Sequence, residues 1–210
     1  MITVIYPLTT QKGFQRLKRN LNSLEQDWNL GMDFLCITND KNLYLEAKNY
    51  LLENIDRGEC LVAYSEKDNL LKGATELVEL KNKYVYVANE NLILPHGTIT
   101  KLYKDLLERP EAGFISGVYT EYPTVYWVKD IYGLPQYIYS NEKTGFDAIM
   151  DIDTIAPYGF LTKTQLFKEL YGLSDLDGYG GHSYGIRLRR QGYKNYIDTG
   201  VEFKDEGDKQ

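Results

Sequence analysis

The first 119 residues alternate two kinds of apolar spacing, and that alternation excludes most folds. ITVIY (2–6), FLCI (34–37), CLVAY (60–64) and YVYVA (84–88) are short, β-branched or aromatic runs bounded by polar residues, the pattern of buried strands. Between them the spacing changes to that of amphipathic helices: Leu17, Leu21, Leu24 and Trp28, then Leu43, Ala47, Tyr50 and Leu51, then Leu70, Leu71, Ala74, Leu77 and Val78. After Pro95, the residues Ile99, Leu102, Tyr103, Leu106 and Leu107 mark a fourth helix ended by Arg109-Pro110, and GFISGVY (113–119) is a fifth strand. Helices of this length between strands imply parallel pairing through right-handed crossovers. A Rossmann-like sheet is expected in this half, with Pro7 closing the first strand.

From Glu121 onward the pattern changes. YPTVYWV and PQYIYS read as two short strands of a hairpin, and a loop-rich stretch runs to Asp153. YGFLT, a helix around Leu166 to Leu170, a glycine-rich loop DLDGYGGHS (175–183), a helix through IRLRRQG and a last strand NYIDTGVEF follow. With 210 residues, 43% hydrophobic and 26% charged, the chain can bury one sizeable core. One α/β domain over residues 1–205 is expected, with halves of about 1–119 and 120–205 and a polar tail at 206–210.

The formal net charge of -6 argues against general nucleic-acid binding, which relies on neutralising phosphates with Lys and Arg. The start MITVIYP lacks a basic, apolar leader, and no stretch approaches the roughly 20 apolar residues of a membrane span, so a cytoplasmic protein is expected. Cys36 and Cys60 have no metal-ligand spacing and read as buried thiols. Neither GxGxxG nor GxxxxGK[ST] occurs, so neither a dinucleotide fingerprint nor a P-loop cradle is supported.

Polar chemistry recurs instead where strands end. Thr9 and Thr10 follow the first, Thr38, Asn39 and Asp40 the second, residues 65–69 the third, and Asn89, Glu90 and Asn91 the fourth. In an open α/β sheet the crevice beyond the carboxyl ends of the strands is the natural ligand pocket. Adjacent polar ends would line one crevice.

The order VIYPLT, FLCITND, YVYVANENLILPHGTITKLYKDLLERPEAGFISGVY, DIDTIAPYGFLTKTQLF, GYGGHSYGIRLRRQGY and IDTGVEF resembles the GT-A glycosyltransferases, particularly the family 2 group, over roughly residues 2–205. In that family the fourth strand ends in a DxD that holds a divalent metal and the nucleotide sugar diphosphate, and Asn89-Glu90-Asn91 stands at that position. The resemblance implies a nucleotide-sugar half followed by an acceptor half. Its nucleotide-sugar-binding candidates are Pro7, Leu8, Thr9, Thr38, Asn39, Asp40, Lys72, Asn89, Glu90 and Asn91. It also places Asp153, the turn around Gly180, Gly181 and His182, and Asp205 around the same cleft.

Two carboxylates of the family are amides here, and each lost charge about 4 Å from a cation forfeits on the order of 4 kcal/mol per cation charge at an effective dielectric near 20. Metal affinity is expected to be weak without nucleotide. Asn91, through its amide oxygen, and Asp205 are the candidate ligands for Mg or Mn. The alternative is a site that needs no metal, with Lys204 or another cation on the leaving diphosphate. Of the second DxD, Asp151 and Asp153, the resemblance assigns only Asp153 to the site.

An inverting transfer needs a base for the acceptor hydroxyl. The resemblance points to the turn before the last helix, where His182 titrates near neutrality and Asp175 and Asp177 lie close by. The catalytic candidates are His182, Asp153 and Asp177. Tyr122, Tyr126, Trp127, Tyr132 and Tyr137 offer ring faces to a sugar, whereas RLRR (187–190) divides between a solvated helix face and contacts to the turn. The expected function is sugar transfer from a nucleotide diphosphate sugar to a hydroxyl of a glycan, lipid or protein. A noncatalytic nucleotide-sugar or carbohydrate-binding module of the same fold is the first alternative. A nucleotidyltransferase is the second, although PLTTQKGFQRLKR supplies only Gly13 and a few basic residues for its loop.

Overall fold

The computed structural model describes residues 1–66, 70–78, 81–119, 125–131, 134–140, 149–152, 159–171 and 180–206; for 119, 125–131, 134–140, 150, 171, 180–182 and 205 it describes the backbone alone. Strands β1 (Ile2–Leu8), β2 (Met32–Thr38), β3 (Cys60–Tyr64) and β4 (Tyr84–Val87) lie parallel in the order β3-β2-β1-β4. They are joined by α1 (Gln11–Leu24, continued by a 3-10 turn over Glu25–Leu30), α2 (Lys41–Asn54) and α3 (Leu70–Leu77). Then come β5 (Leu92–Ile93), α4 (Thr98–Leu107) and β6 (Ala112–Tyr119), followed by the antiparallel hairpin β7 (Val125–Ile131) and β8 (Leu134–Ser140). The chain closes with β9 (Ile149–Ile152), β10 (Phe160–Lys163), α5 (Thr164–Leu166, running into a π turn at Phe167–Tyr171), α6 (Gly180–Arg190) and β11 (Lys194–Asp205).

β1 is buried along its whole length, and its alternate side chains serve two cores. Val4, Tyr6 and Leu8 join Leu17, Leu21, Ala47, Leu51, Leu102 and Leu106 on the α1, α2 and α4 side. Ile5 joins Leu70, Ala74, Phe167, Tyr184 and Leu188 on the other. At roughly 1.5–3 kcal/mol per buried large apolar side chain, these two faces hold the sheet between helical layers.

Three expectations need correction. β1 continues through Pro7 to Leu8, paired with β2 as Pro7↔Ile37 and Leu8↔Thr38. The proline is tolerated because its nitrogen faces the β4 side, where pairing has already stopped at Ile5↔Val87. Second, β6 is not the parallel neighbour of β4. β10 lies between them, antiparallel to both, with Phe160 opposite Val87 and Ser116. The turn into β10 needs Gly159 at φ 77, whose N–H donates to the Val87 carbonyl at 2.7 Å, and a Cβ there would meet the Phe203 ring at 2.9 Å. Third, the glycine-rich stretch is helical from Gly180, where α6 begins, and its residues 175–179 lie outside the described residues.

β6 instead pairs with β11 in parallel, and β11 pairs antiparallel with β9 and β5. The last pairing brings the end of the chain back beside the residues that follow β4. Cys36 is buried as expected, whereas Cys60 is half-buried, and desolvation pushes both thiols up, Cys60 to about 11.

Candidate functional site

The carboxyl ends of β1, β2 and β4 adjoin, so Thr9, Thr10, Thr38 to Asp40 and the triplet Asn89-Glu90-Asn91 flank one crevice. Each end is organised locally by capping. Thr10 adopts extended backbone and accepts the Gly13 N–H at 2.9 Å, starting α1. Asp40 does the same for α2, its Oδ1 accepting from the N–H groups of Asn42 and Leu43 at 2.7 and 3.0 Å. Thr38 is buried, and its hydroxyl accepts the Asp40 N–H at 3.1 Å.

Glu90 reaches across from β4 onto the start of α1. Its Oε2 accepts the N–H groups of Thr9 and Thr10 at 2.9 and 3.0 Å and the Thr10 hydroxyl at 3.2 Å, while the Thr9 hydroxyl donates to Oε1. A carboxylate is well placed there, since the first-turn N–H groups and the helix dipole favour negative charge. Gly13 makes the seat: a Cβ at that position would lie 2.0 Å from Glu90 Oε2. The Thr9 donors expected to meet a nucleotide are therefore engaged by Glu90.

Asn91 is held from below by α1. Its Oδ1 accepts from Arg16 Nη1 at 3.1 Å, and its N–H donates to Asn89 Oδ1 at 2.8 Å in a local turn. One helical turn further on, Asn20 donates to the Leu92 carbonyl at 2.8 Å and accepts the Leu94 N–H at 3.0 Å. Arg16 and Asn20 are both buried. Gly13, Arg16 and Asn20 thus form one face of α1 that seats residues 90–94.

The end of β11 completes the arrangement. Asp205 pairs through its backbone with Leu92, and the Glu206 N–H donates to the Asn91 carbonyl at 2.9 Å, so Asp205 lies beside the triplet although its side chain is outside the described residues. Glu206, expected to begin a loose tail, is the hub of a charge cluster. Arg16 Nη2 donates to its carbonyl, and Arg16 Nε lies 3.9 Å from Oε2. Arg19 binds its carboxylate, and Lys204 donates to Oε1 at 3.0 Å. The bonds from Arg19 and then Lys204 hold its carboxyl far below the ordinary range, at about 2.

This layered α/β architecture with an antiparallel strand threaded into a parallel sheet matches solved structures along the whole chain. A mannosyltransferase, PcManGT from Pyrobaculum calidifontis, solved in complex with GDP-Man and Mn2+, superposes with a TM-score of 0.70 at 16% identity, covering 100% of this chain and 57% of that one. GalNAc-T7, crystallised with UDP, GalNAc and Mn2+, superposes with a TM-score of 0.71 at 12% identity, covering 98% and 43%. The fold is GT-A. The chain spans about half the length of these solved chains. No family model and no curated protein matches the sequence.

Several expected site residues fall outside this picture. Asp153 and Asp177 lie outside the described residues, and His182 lies on α6 with its side chain undescribed. The same holds for Tyr122 and Tyr132, and for the side chains of Tyr126, Trp127 and Tyr137 on the hairpin. Lys72 sits in the first turn of α3, on the opposite face of the sheet from α1, beside Gly73, whose Cβ would meet Ile37 and Ser65 near the carboxyl ends of β2 and β3. In the RLRR run, Arg187 donates to the Leu170 carbonyl at 3.0 Å and Arg189 pairs with Asp151 on β9 at 2.9 Å; these bonds do not go to the glycine-rich turn, most of which lies outside the described residues. A cavity of about 640 Å³ opens elsewhere, at the amino end of β4 beside Tyr84, Lys163 and Lys168, and has no part in the crevice.

Among the described side chains the donor set fits a divalent ion poorly. An ion bound about 2.1 Å from Asn91 Oδ1 would sit within about 5 Å of the Arg16 guanidinium, a repulsion on the order of 7 kcal/mol at an effective dielectric near 20. Glu90 turns its oxygens to α1. Among the described residues no three His, Cys, Asp or Glu side chains gather as a metal site.

Proposed function

We propose that this chain is a glycosyltransferase that moves a sugar from a nucleoside diphosphate sugar to a hydroxyl acceptor. The observation that carries the reading is the meeting, within a GT-A fold, of the ends of β1 and β4 with the end of β11, which brings polar and cationic side chains beside the strand ends where this architecture binds ligands. Thr38, Asn39 and Asp40, with Pro7 and Leu8, would receive the base and ribose. Asn89 and Asn91 would face the diphosphate from one side and the cations of α1 and β11 from another, so that negative charge building on the departing diphosphate meets preset positive charge. His182, Asp153 and Asp177 are the candidates that the resemblance offers for taking the acceptor proton.

The neighbours' Mn2+ does not transfer to these residues on the geometry of Asn91, so no step is assigned to a metal here. A noncatalytic nucleotide-sugar binding module is the second reading, favoured by the amides at the triplet and by the engagement of Glu90 with Thr9 and Thr10. The nucleotidyltransferase reading loses its footing, because Gly13 makes room for a carboxylate rather than for a phosphate. A screen of uridine and guanosine diphosphate sugars for hydrolysis and transfer, with Mn and with chelator, separates the readings: release of nucleoside diphosphate supports the transferase, and binding without turnover in every condition supports the module.

A further inference from the structure

Three cations of the site converge on one carboxylate. Arg16 is buried, with its side chain 9% exposed, and reaches Glu206 through both its carbonyl and its carboxylate. Arg19 and Lys204, each 54% exposed, reach the two carboxylate oxygens from outside. Among the described side chains the cluster carries surplus positive charge next to Asn91. Glu206 belongs to the segment that leaves β11, and its carboxylate is 24% exposed, so it can swing out without unpairing a strand. A doubly charged phosphate oxygen set offers the same cations stronger, multidentate acceptors than one carboxylate.

We infer that Arg16, Arg19 and Lys204 form a diphosphate site that takes the place of a metal ion, and that Glu206 is its resident occupant, displaced when a diphosphate binds. The inference rests on the donor-binding reading above and deepens it. Arg16 fixes the inner edge because it is locked between Asn91 and the end of β11. Arg19 and Lys204 close on the outer oxygens. Glu206 keeps the three cations gathered in the free protein, and it competes with the ligand for them.

Calorimetric titration of the full chain with inorganic pyrophosphate, UDP and GDP, each in chelator and in Mn, tests this. Arg16→Met risks the fold, so the half-exposed partners carry the test: Arg19→Met and Lys204→Met are expected to weaken pyrophosphate binding about 10-fold each, and Glu206→Gln to tighten it about 10-fold, in chelator. Wild-type affinity is expected to be the same in chelator and in Mn. Binding that appears only with Mn overturns the inference while leaving the transferase reading intact. Pyrophosphate binding with the expected variant pattern, but no turnover of any nucleotide sugar, upholds the inference and removes the transferase. Absence of pyrophosphate, UDP and GDP binding even in Glu206→Gln overturns the inference, as does a Glu206→Gln affinity equal to wild type.

Discussion

The two ends of the parallel strands treat polar groups in opposite ways. At the amino end, Asp33 is buried and answered mainly by neutral donors: the Glu59 N–H at 2.9 Å and the Asn82 amide at 2.7 Å, with Asn82 also donating to Thr3 at 2.9 Å and Lys81 standing 3.9 Å away. At the carboxyl end, one carboxylate, Glu206, gathers Arg16, Arg19 and Lys204. The first arrangement spends its polar capacity on itself. The second holds charge that a ligand can use, because exposed cations can exchange one anion for another at small structural cost.

The sharpest way to break this contrast is to attack the amino end. Asp33→Ala is expected to cost about 3 kcal/mol, since it strands the Glu59 N–H and the buried Asn82 amide, while the Lys81 ammonium keeps its bond to the Glu59 carboxylate. Urea unfolding measures it, and the same denaturation on Arg19→Met should show a loss under about 1 kcal/mol, the usual range for an exposed pair. Equal losses would erase the distinction between the two ends.

Asn20→Ala comes next, at about 2 kcal/mol, because the Leu92 carbonyl and the Leu94 N–H both lose their buried partner. Hydrogen exchange at Leu94 should accelerate more than at β1 amides. Uniform acceleration would show that Asn20 supports the whole sheet rather than the bed of the triplet.

Those two residues also mark what was legible in the sequence. Apart from the two-residue β5, the strand and helix order up to Tyr119 is readable because strands buried on both faces are continuous apolar runs, and helices covering them keep one apolar stripe. The insertion of β10 is not readable, since YGFLT has the same spacing whichever strand it joins, and its partners lie far away in sequence. The resemblance sets the triplet and Asp205 around one cleft, and the backbone of Asp205 does pair with Leu92, next to Asn91. Arg16 and Glu206 are missed: an arginine flanking Leu17 on an amphipathic helix reads as solvated, and a glutamate near the end of the chain reads as tail. The available signal was the spacing of Gly13, Arg16 and Asn20, which puts a gap, a cation and an amide on one helix face.

Gly13→Ala sharpens the comparison at lower cost. Alanine gains roughly 0.5–1 kcal/mol in a helix over glycine, but its Cβ would lie 2.0 Å from Glu90 Oε2 and 2.9 Å from Glu90 Cβ, so the carboxylate leaves its cap and residue 90 must shift; a net loss of about 1 kcal/mol is expected. The local effect is larger in kind. Protection of the Thr9 and Thr10 amides should fall about tenfold, and unchanged protection would mean that Glu90 is not what shields them.

The smallest effect concerns Asp105 on α4, which is pushed up to about 6 by desolvation and then by its hydrogen bond to Asp198 on β11. A carboxyl with a raised folded-state pKa binds its proton more tightly folded than unfolded. It therefore stabilises most below about pH 4, and that contribution fades as pH rises through about 6. Solvent screening of this half-buried group keeps it below about 1 kcal/mol. Urea midpoints at pH 4.5 and 6.5 should differ less in Asp105→Asn than in wild type, and an unchanged difference would remove Asp105 as the cause.

The place of β10 bears on how the chain comes together in time. β4 and β6 remain open edges until residues 160–163 arrive, after α4, the hairpin and β9 have all been synthesised. The first four strands need only near contacts, whereas this closure waits on a long loop and so belongs to the slow part of assembly. A nascent chain that has emerged only to residue 119 therefore leaves one side of β4 and both sides of β6 unpaired, since β11 is also still to come, the kind of surface that invites pairing with another chain.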